Sequence, residues 1–176
     1  NALHAFKGEH VSPETLAREA CRIEIDVLKQ PIGKQDQYIT AYGGLNSIRF
    51  NNDESVIVAP IIIKDGARQI LQRKLMLFHT GFVSDSRKVL TEQKAKTEKN
   101  SDLICKMAGF AEDLAHSLRG GSTSTLGTFL HENWELKKHL ASRMTNPTID
   151  GYYAKAVKAG ATGGKILGSG GGGFFL

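Results

Sequence analysis

Two carboxylates twelve residues apart, Glu24 and Asp36, and a glycine run, Gly168-Ser169-Gly170-Gly171-Gly172-Gly173, are the parts of this chain best suited to chemistry. Asp36 lies in Gly33-Lys34-Gln35-Asp36-Gln37-Tyr38, between two amides and close to a cation. Ile39-Thr40-Ala41-Tyr42-Gly43-Gly44 follows directly. A carboxylate in such a polar run can take the proton of a substrate hydroxyl. Glu24 alone reads as a solvated charge on an amphipathic helix. Beside a second carboxylate, brought back in space by the turn at Pro31–Gly33, it gains a second reading. Near a polyphosphate one carboxylate can hold Mg²⁺ while the other takes the proton.

The glycine run also has two readings. A flexible linker has this composition. The flanks argue otherwise: Gly160-Ala161-Thr162-Gly163-Gly164-Lys165 leads in, and Phe174-Phe175-Leu176 leads out as a strand would. Glycines between two short strands permit positive φ and let backbone N–H groups approach an anion. No Gly-Lys-Ser/Thr follows, so this is not a Walker A loop. His131-Glu132-Asn133-Trp134-Glu135 lacks the second histidine of a His-Glu-x-x-His zinc site. His79, at a strand end, reads as a satisfied core or edge histidine, Met76, Met107 and Met144 as packing residues, and Ser122 to Thr125 as a capping cluster.

The elements that must position these residues follow from pattern. Ser12-Pro13-Glu14-Thr15 is a helix start, with Ser12 as cap. Leu16, Ala20, Ile23, Val27 and Leu28 recur at helical spacing, and Pro31 with Gly33 stops that helix. A short helix over 35–42 ends at Gly43-Gly44. Ser47–Phe50 and Ser55–Ile63 read as a hairpin around Asn51-Asn52-Asp53, and Lys74–His79 as a further strand. Helices are expected over 84–98, mostly exposed, and over 102–118 with Leu103, Met107, Phe110, Leu114 and Leu118 facing a core. Two more are expected over 124–143, whose pattern includes Trp134, Lys137 and Leu140, and over 148–159, stopped by Gly160. A short strand over 165–167 precedes the glycine run. Early hairpin signals and loose alternation favour α+β over a strictly parallel sheet.

At 176 residues, with 40% hydrophobic and 23% charged content, the composition is that of one globular domain or two small ones. No run of eighteen apolar residues exists, so no spanning helix is expected. The first residues lack the basic start and apolar core of a signal peptide, and a cytoplasmic location is expected. The absence of an initiating Met suggests a piece of a longer protein. Cys21 and Cys105 read as buried free thiols. The net charge of +5 welcomes anions. Apart from Lys94, Lys96 and Lys99 the lysines are scattered, and no aromatic–basic interleaving is found, which argues against nucleic acid.

Taken together, Gly33–Tyr38, Ala41–Gly44, His131–Trp134 with Lys137-Lys138, and Gly163–Gly173 resemble the GHMP kinase superfamily. The match looks nearest to its D-glycero-D-manno-heptose 7-phosphate kinase branch, with the related fucokinase domain. The resemblance runs over most of the chain in the right order. It implies transfer of the ATP γ-phosphoryl group to a sugar hydroxyl, at the anomeric carbon, with ATP and Mg²⁺ as cofactors. It puts Asp36 at the catalytic aspartate and Glu24 at the Mg²⁺ ligand. Gly168, Ser169, Gly170, Gly171 and Gly172 fall in the third conserved motif, near the phosphates. Lys34, Gln35, Tyr42, Gly43 and Gly44 are the implied substrate contacts. The implied fold is the end of a ribosomal protein S5 domain 2-like domain, residues 1–60, and a ferredoxin-like domain, residues 61–176, incomplete at both ends.

Departures from the family bound these implications. The Pro-x-x-x-Gly-Leu-Gly-Ser-Ser loop that covers ATP phosphates is absent. On the resemblance, the chain starts inside the helix after that loop and stops at the third motif. Gly81-Phe82-Val83-Ser84 stands where an arginine is expected, which leaves heptose 7-phosphate, fucose and galactose open as substrates. A non-catalytic, ligand-binding or self-associating piece of such a kinase is the alternative, since unpaired sheet edges favour association. A small interaction domain with a glycine linker is the other.

Overall fold

The computed structural model describes the backbone of residues 1–176 and all side chains but that of Asp65. Contacts divide the chain into two compact units, Asn1–Pro60 and Ile61–Leu176.

In the first unit, α1 spans Ala2–Phe6 and α2 spans Pro13–Cys21. Ser12 caps α2 as expected. Its Oγ accepts the Thr15 N–H at 3.1 Å, and Pro13, which has no N–H to leave unpaired, takes the first position. Helix α2 then runs without a break into a π-helical stretch, Arg22–Val27. Its wider winding is seen where Leu28 N–H donates to Ile23 O, five residues back, at 2.9 Å. This corrects the expected apolar stripe, because a π-turn breaks the 3.6-residue phase. Ala17, Cys21 and Ile25 pack against Tyr38, while Ile23, Val27 and Leu28 are more than half exposed. Helix α3, Gln35–Tyr42, ends at Gly43. Strands β1, Asn46–Phe50, and β2, Val56–Pro60, pair antiparallel with Ile48 opposite Val58. Ile48, Val56 and Val58 cover the Ala17–Cys21–Tyr38 core. The second strand stops short of the expected Ile63, at Pro60, which has no N–H to continue a ladder.

The second unit holds α4 (Asp65–Lys74), β3 (Phe78–His79), α5 (Ser86–Ala95), α6 (Ser101–Arg119), α7 (Leu126–Lys137), α8 (Pro147–Lys158) and β4 (Phe174–Phe175). Ile61 and Ile63 are buried with Ala115 and Leu118 of α6, against Ala67 and Leu71 of α4. That packing explains α4, a helix the pattern reading missed, and it shortens the expected 74–79 strand to β3. A second core joins Val89, Trp134, Leu140, Ala141, Met144, Ile149, Ile166 and Phe175. Asn146 caps α8 through two backbone N–H groups, each at 3.0 Å. Helix α7 ends at Lys137 rather than at 143, tightening into the three-residue bonds His139 N–H to Leu136 O and Leu140 N–H to Lys137 O.

Strands β3 and β4 pair antiparallel, and Ile166 bridges Phe175. The expected 165–167 strand is therefore a single bridge. Helices with short strand pairs agree with an α+β fold. Among the described residues of the second unit, this pairing is smaller than a full ferredoxin-like sheet. Both cysteines are free, but only Cys21 is buried; Cys105 is exposed on α6, against expectation. Among the described residues, no helix is long and apolar enough to cross a membrane.

Candidate functional site

Asp36 occupies the first turn of α3 and is exposed. A carboxylate there is favoured by the unpaired N–H groups of the helix start. Successive helical residues lie about 100° apart, so the next residue, Gln37, turns inward and is 8% exposed. Gln37 Nε2 donates to Glu24 Oε2. Glu24, half-exposed on the π-helical stretch, is thus tied to the helix that carries Asp36.

The other residues around Asp36 are variously engaged. Lys34 Nζ pairs with the Glu54 carboxylate in the hairpin turn. Tyr38 and Tyr42, one turn apart, stack at 6.2 Å. Their hydroxyls donate to the two oxygens of Glu14, at 3.0 and 3.1 Å. Desolvation and that carboxylate push the Tyr38 phenol up to about 12, and both causes also raise Tyr42. The Tyr42 hydroxyl, an expected substrate contact, is therefore held by Glu14. Gln35 is exposed at the helix start. Gly43 and Gly44 have φ of 64° and 71°, the left-handed region that reverses the chain, and Gly43 O accepts from Asn46 Nδ2 at 2.6 Å.

In the second unit the glycine run is not a linker. Gly171 N–H donates to Met144 O at 2.8 Å, and Gly173 N–H to Phe82 O at 3.0 Å. Gly173 O accepts from both the backbone N–H and the hydroxyl of Thr80, each at 2.9 Å. A Cβ on Gly171 would lie 2.7 Å from Arg143 O, and one on Gly172 2.7 Å from Phe82 O. The run is a packed turn wedged between the segment after β3 and the segment after α7. Two of its N–H groups are consumed internally. Gly168 is exposed and Ser169 half-exposed, while Gly170 and Gly172 are buried. The Gly81–Ser84 segment, where the family pattern expects an arginine, lies against this turn through Phe82 and Ser84.

A buried cation holds the start of the run. Lys137, 8% exposed, donates from Nζ to Ile166 O at 3.2 Å and to Gly168 O at 2.5 Å. Burial, with the Lys165 ammonium nearby, lowers Lys137 to about 8. Burial also lowers Lys165, whose Nζ donates to Asn133 Oδ1 at 2.8 Å. Thus Asn133 and Lys137 of the His131–Lys138 segment reach the approach to the glycine run. His131 instead bonds the Tyr153 hydroxyl at 2.7 Å. The signal for Lys137 was present in the sequence: a lysine three residues from both Trp134 and Leu140, on the apolar face of α7. Gln37 carried no comparable signal.

Among the described residues, no group of three or more His, Cys, Asp or Glu side chains could hold a metal alone. Glu24 offers one oriented carboxylate. That fits Mg²⁺, which binds through one or two carboxylates plus substrate phosphates rather than an all-protein cage.

Residues 111–176 match the family model described as GHMP kinases C terminal. The chain is 30% identical over 163 residues to the D-glycero-alpha-D-manno-heptose 7-phosphate kinase of Campylobacter jejuni, covering 92% of this chain and 48% of that protein. A crystal structure described as a D-glycero-D-manno-heptose 1-phosphate kinase from Bacteriodes thetaiotaomicron superposes with a TM-score of 0.73 at 26% identity, over 99% of this chain and 47% of that one. The L. major mevalonate kinase, solved with R-mevalonate, shares the fold at a TM-score of 0.60 and 18% identity, over 81% of this chain and 42% of its own. The chain spans about half the length of the curated relative it matches. Residues 111–176, which hold the glycine turn, form a GHMP kinase C-terminal domain, and the chain is a distant homologue of heptose 7-phosphate kinase at 30% identity.

Proposed function

We propose that this chain serves an ATP-dependent sugar kinase acting on D-glycero-D-manno-heptose 7-phosphate in the cytoplasm, with the anomeric hydroxyl as acceptor. The observation that carries the reading is the tie from Gln37 to Glu24. It joins a half-exposed carboxylate to the helix that presents Asp36. Residues 1–60 are assigned to the end of an S5-like kinase N-terminal domain, and residues 61–176 to its ferredoxin-like C-terminal domain.

Asp36 accepts the proton of the sugar hydroxyl as that oxygen attacks the γ-phosphorus and the bond to the β-phosphate oxygen breaks, releasing ADP. Glu24 is the residue that would hold Mg²⁺, and the ion would supply neutralisation of charge on the phosphate oxygens. Lys34, Gln35 and the Tyr42–Gly44 turn line the sugar side, with the Tyr42 ring rather than its hydroxyl available for contact. The family motif assigns Gly168 to Gly172, in the second unit, to phosphate contact. Gly168 and Ser169 present the accessible end, and Lys137 keeps it in place. Such a site works by positioning and charge stabilisation.

The test is ADP release by the protein against a panel of heptose 7-phosphate, fucose and galactose, with and without Asp36→Asn. The heptose phosphate is expected to be the preferred acceptor, and the variant to lose roughly 10²–10⁴ in turnover, the worth of a positioned base. Wild-type turnover in the variant overturns the role of Asp36.

A further inference from the structure

We propose that Gln37 is the positioning residue of the carboxylate pair, fixing the Glu24 carboxylate for a divalent cation from the same turn of α3 that carries Asp36. The inference rests on the reading of Glu24 as a cation ligand.

Gln37 is 8% exposed, and its Nε2 donates to Glu24 Oε2. The amide has one acceptor and two donors. Turned over, it would set its oxygen against a carboxylate, acceptor facing acceptor. The Glu24 charge therefore dictates which way the amide lies. In that orientation Gln37 Oε1 is buried with no hydrogen-bond partner among the described residues. Burying an unpaired amide oxygen is unfavourable. An apolar side chain of similar size would fill the volume without that penalty, so space filling does not account for an amide here. The grip on Glu24 does.

The π-helical stretch gives the grip its purpose. Glu24 stands where the helix has left its regular phase; its backbone carbonyl accepts from Gln30 N–H at 2.9 Å, and its carboxylate accepts from Gln37. Without Gln37 its carboxylate would sample several rotamers. With Gln37 it is held by one oxygen, and the other is left for a cation. Groups that orient a metal's carboxylate ligand in this way govern its affinity. Asp36 and Gln37 are adjacent on α3, one exposed and one buried. A shift of this helix therefore moves base and cation ligand together.

Gln37→Met keeps the volume and removes the donor. Two readouts in the 176-residue chain decide the matter: NMR three-bond couplings of the Glu24 side chain without metal, and titration with Mn²⁺ in the presence of ATP, which supplies the phosphate ligands, followed by broadening of signals around Glu24. The expected result is a single Glu24 rotamer in the wild type and an averaged one in Gln37→Met, with Mn²⁺ affinity weakened by roughly 10–100-fold. A Glu24 that keeps its rotamer in the folded variant, or an unchanged Mn²⁺ affinity, overturns the role of Gln37. No Mn²⁺ effect at Glu24 in the wild type overturns the cation reading beneath it, while the couplings still decide whether Gln37 orients Glu24. Should Gln37→Met fail to fold, Glu24→Ala, at a half-exposed position, gives the second measurement. The Gln37 side-chain amide signals must then move, and unmoved signals overturn the proposal.

Discussion

The carboxylate region and the glycine turn are held by opposite means. Around Asp36, side chains hold side chains: Gln37 grips Glu24, Lys34 pairs with Glu54, and Glu14 accepts two tyrosine hydroxyls. Around Gly168–Gly173, backbone holds backbone: Met144, Phe82 and Thr80 bond the run directly, and Lys137 clamps two of the carbonyls leading into it. The first arrangement is set by side-chain hydrogen bonds and ion pairs. The second cannot change without disturbing the core that contains Trp134, Met144 and Phe175. Substitutions in the first region should therefore change function more than stability, and substitutions in the second the reverse.

The largest stability effect is expected at Gly171. Alanine there meets the Arg143 carbonyl at 2.7 Å and must adopt a φ of 74°. Overpacking and left-handed strain together should cost about 2–4 kcal/mol, read from a urea midpoint. Gly44→Ala is the control: φ is 71°, with nothing within 4 Å of the new Cβ. It should cost only about 1–2 kcal/mol. Equal losses at the two positions would break the contrast between a wedged turn and an open one.

Lys137 sharpens the contrast through pH. Its folded value, about 8, lies below the ordinary 10.5. Below pH 8 the folded chain carries a buried charge, so that penalty offsets the bonds to Ile166 and Gly168. Lys137→Met removes the charge and strands two carbonyls, and near pH 7 it should change stability by only about 1 kcal/mol, since the two effects oppose. Between pH 8 and 10.5 the unfolded chain binds more protons at this site, so the wild type gains on the variant as pH rises. The gain approaches roughly 3 kcal/mol. A difference that stays flat over that window contradicts the burial of Lys137.

The smallest effect is expected at Glu92. Its carboxyl is held at about 2, first by Lys96 and then by the N–H and hydroxyl of Ser142. The stabilisation is present above pH 4.5 and is lost as pH falls toward 2. Glu92→Gln should flatten acid unfolding in that window, and an unaltered acid limb would remove the pair from the account.

Much of the scaffold was legible because local rules agree with it. The Ser12 cap, the 46–60 hairpin, the α6 stripe and the Gly160 stop all follow from side-chain chemistry and spacing. The π-turn was not legible, since an apolar pattern assumes a constant 3.6-residue phase, and for that reason Ile23, Val27 and Leu28 lie exposed rather than on the buried stripe. Helix α4 was hidden because its partners, Ala115 and Leu118, lie some fifty residues on in α6. Asp36, Glu24 and the glycine run were visible as residue types. What presses on the glycines, and that Gln37 bonds Glu24, is tertiary information that composition and spacing do not carry.

The most direct test of the central claim reads turnover and urea midpoint together for Asp36→Asn in the protein. Asp36 is exposed, so the midpoint should correspond to a change within about 0.5 kcal/mol, while sugar-dependent ADP release falls by roughly 10²–10⁴. Undiminished turnover, or a loss explained by unfolding, would contradict a base at Asp36.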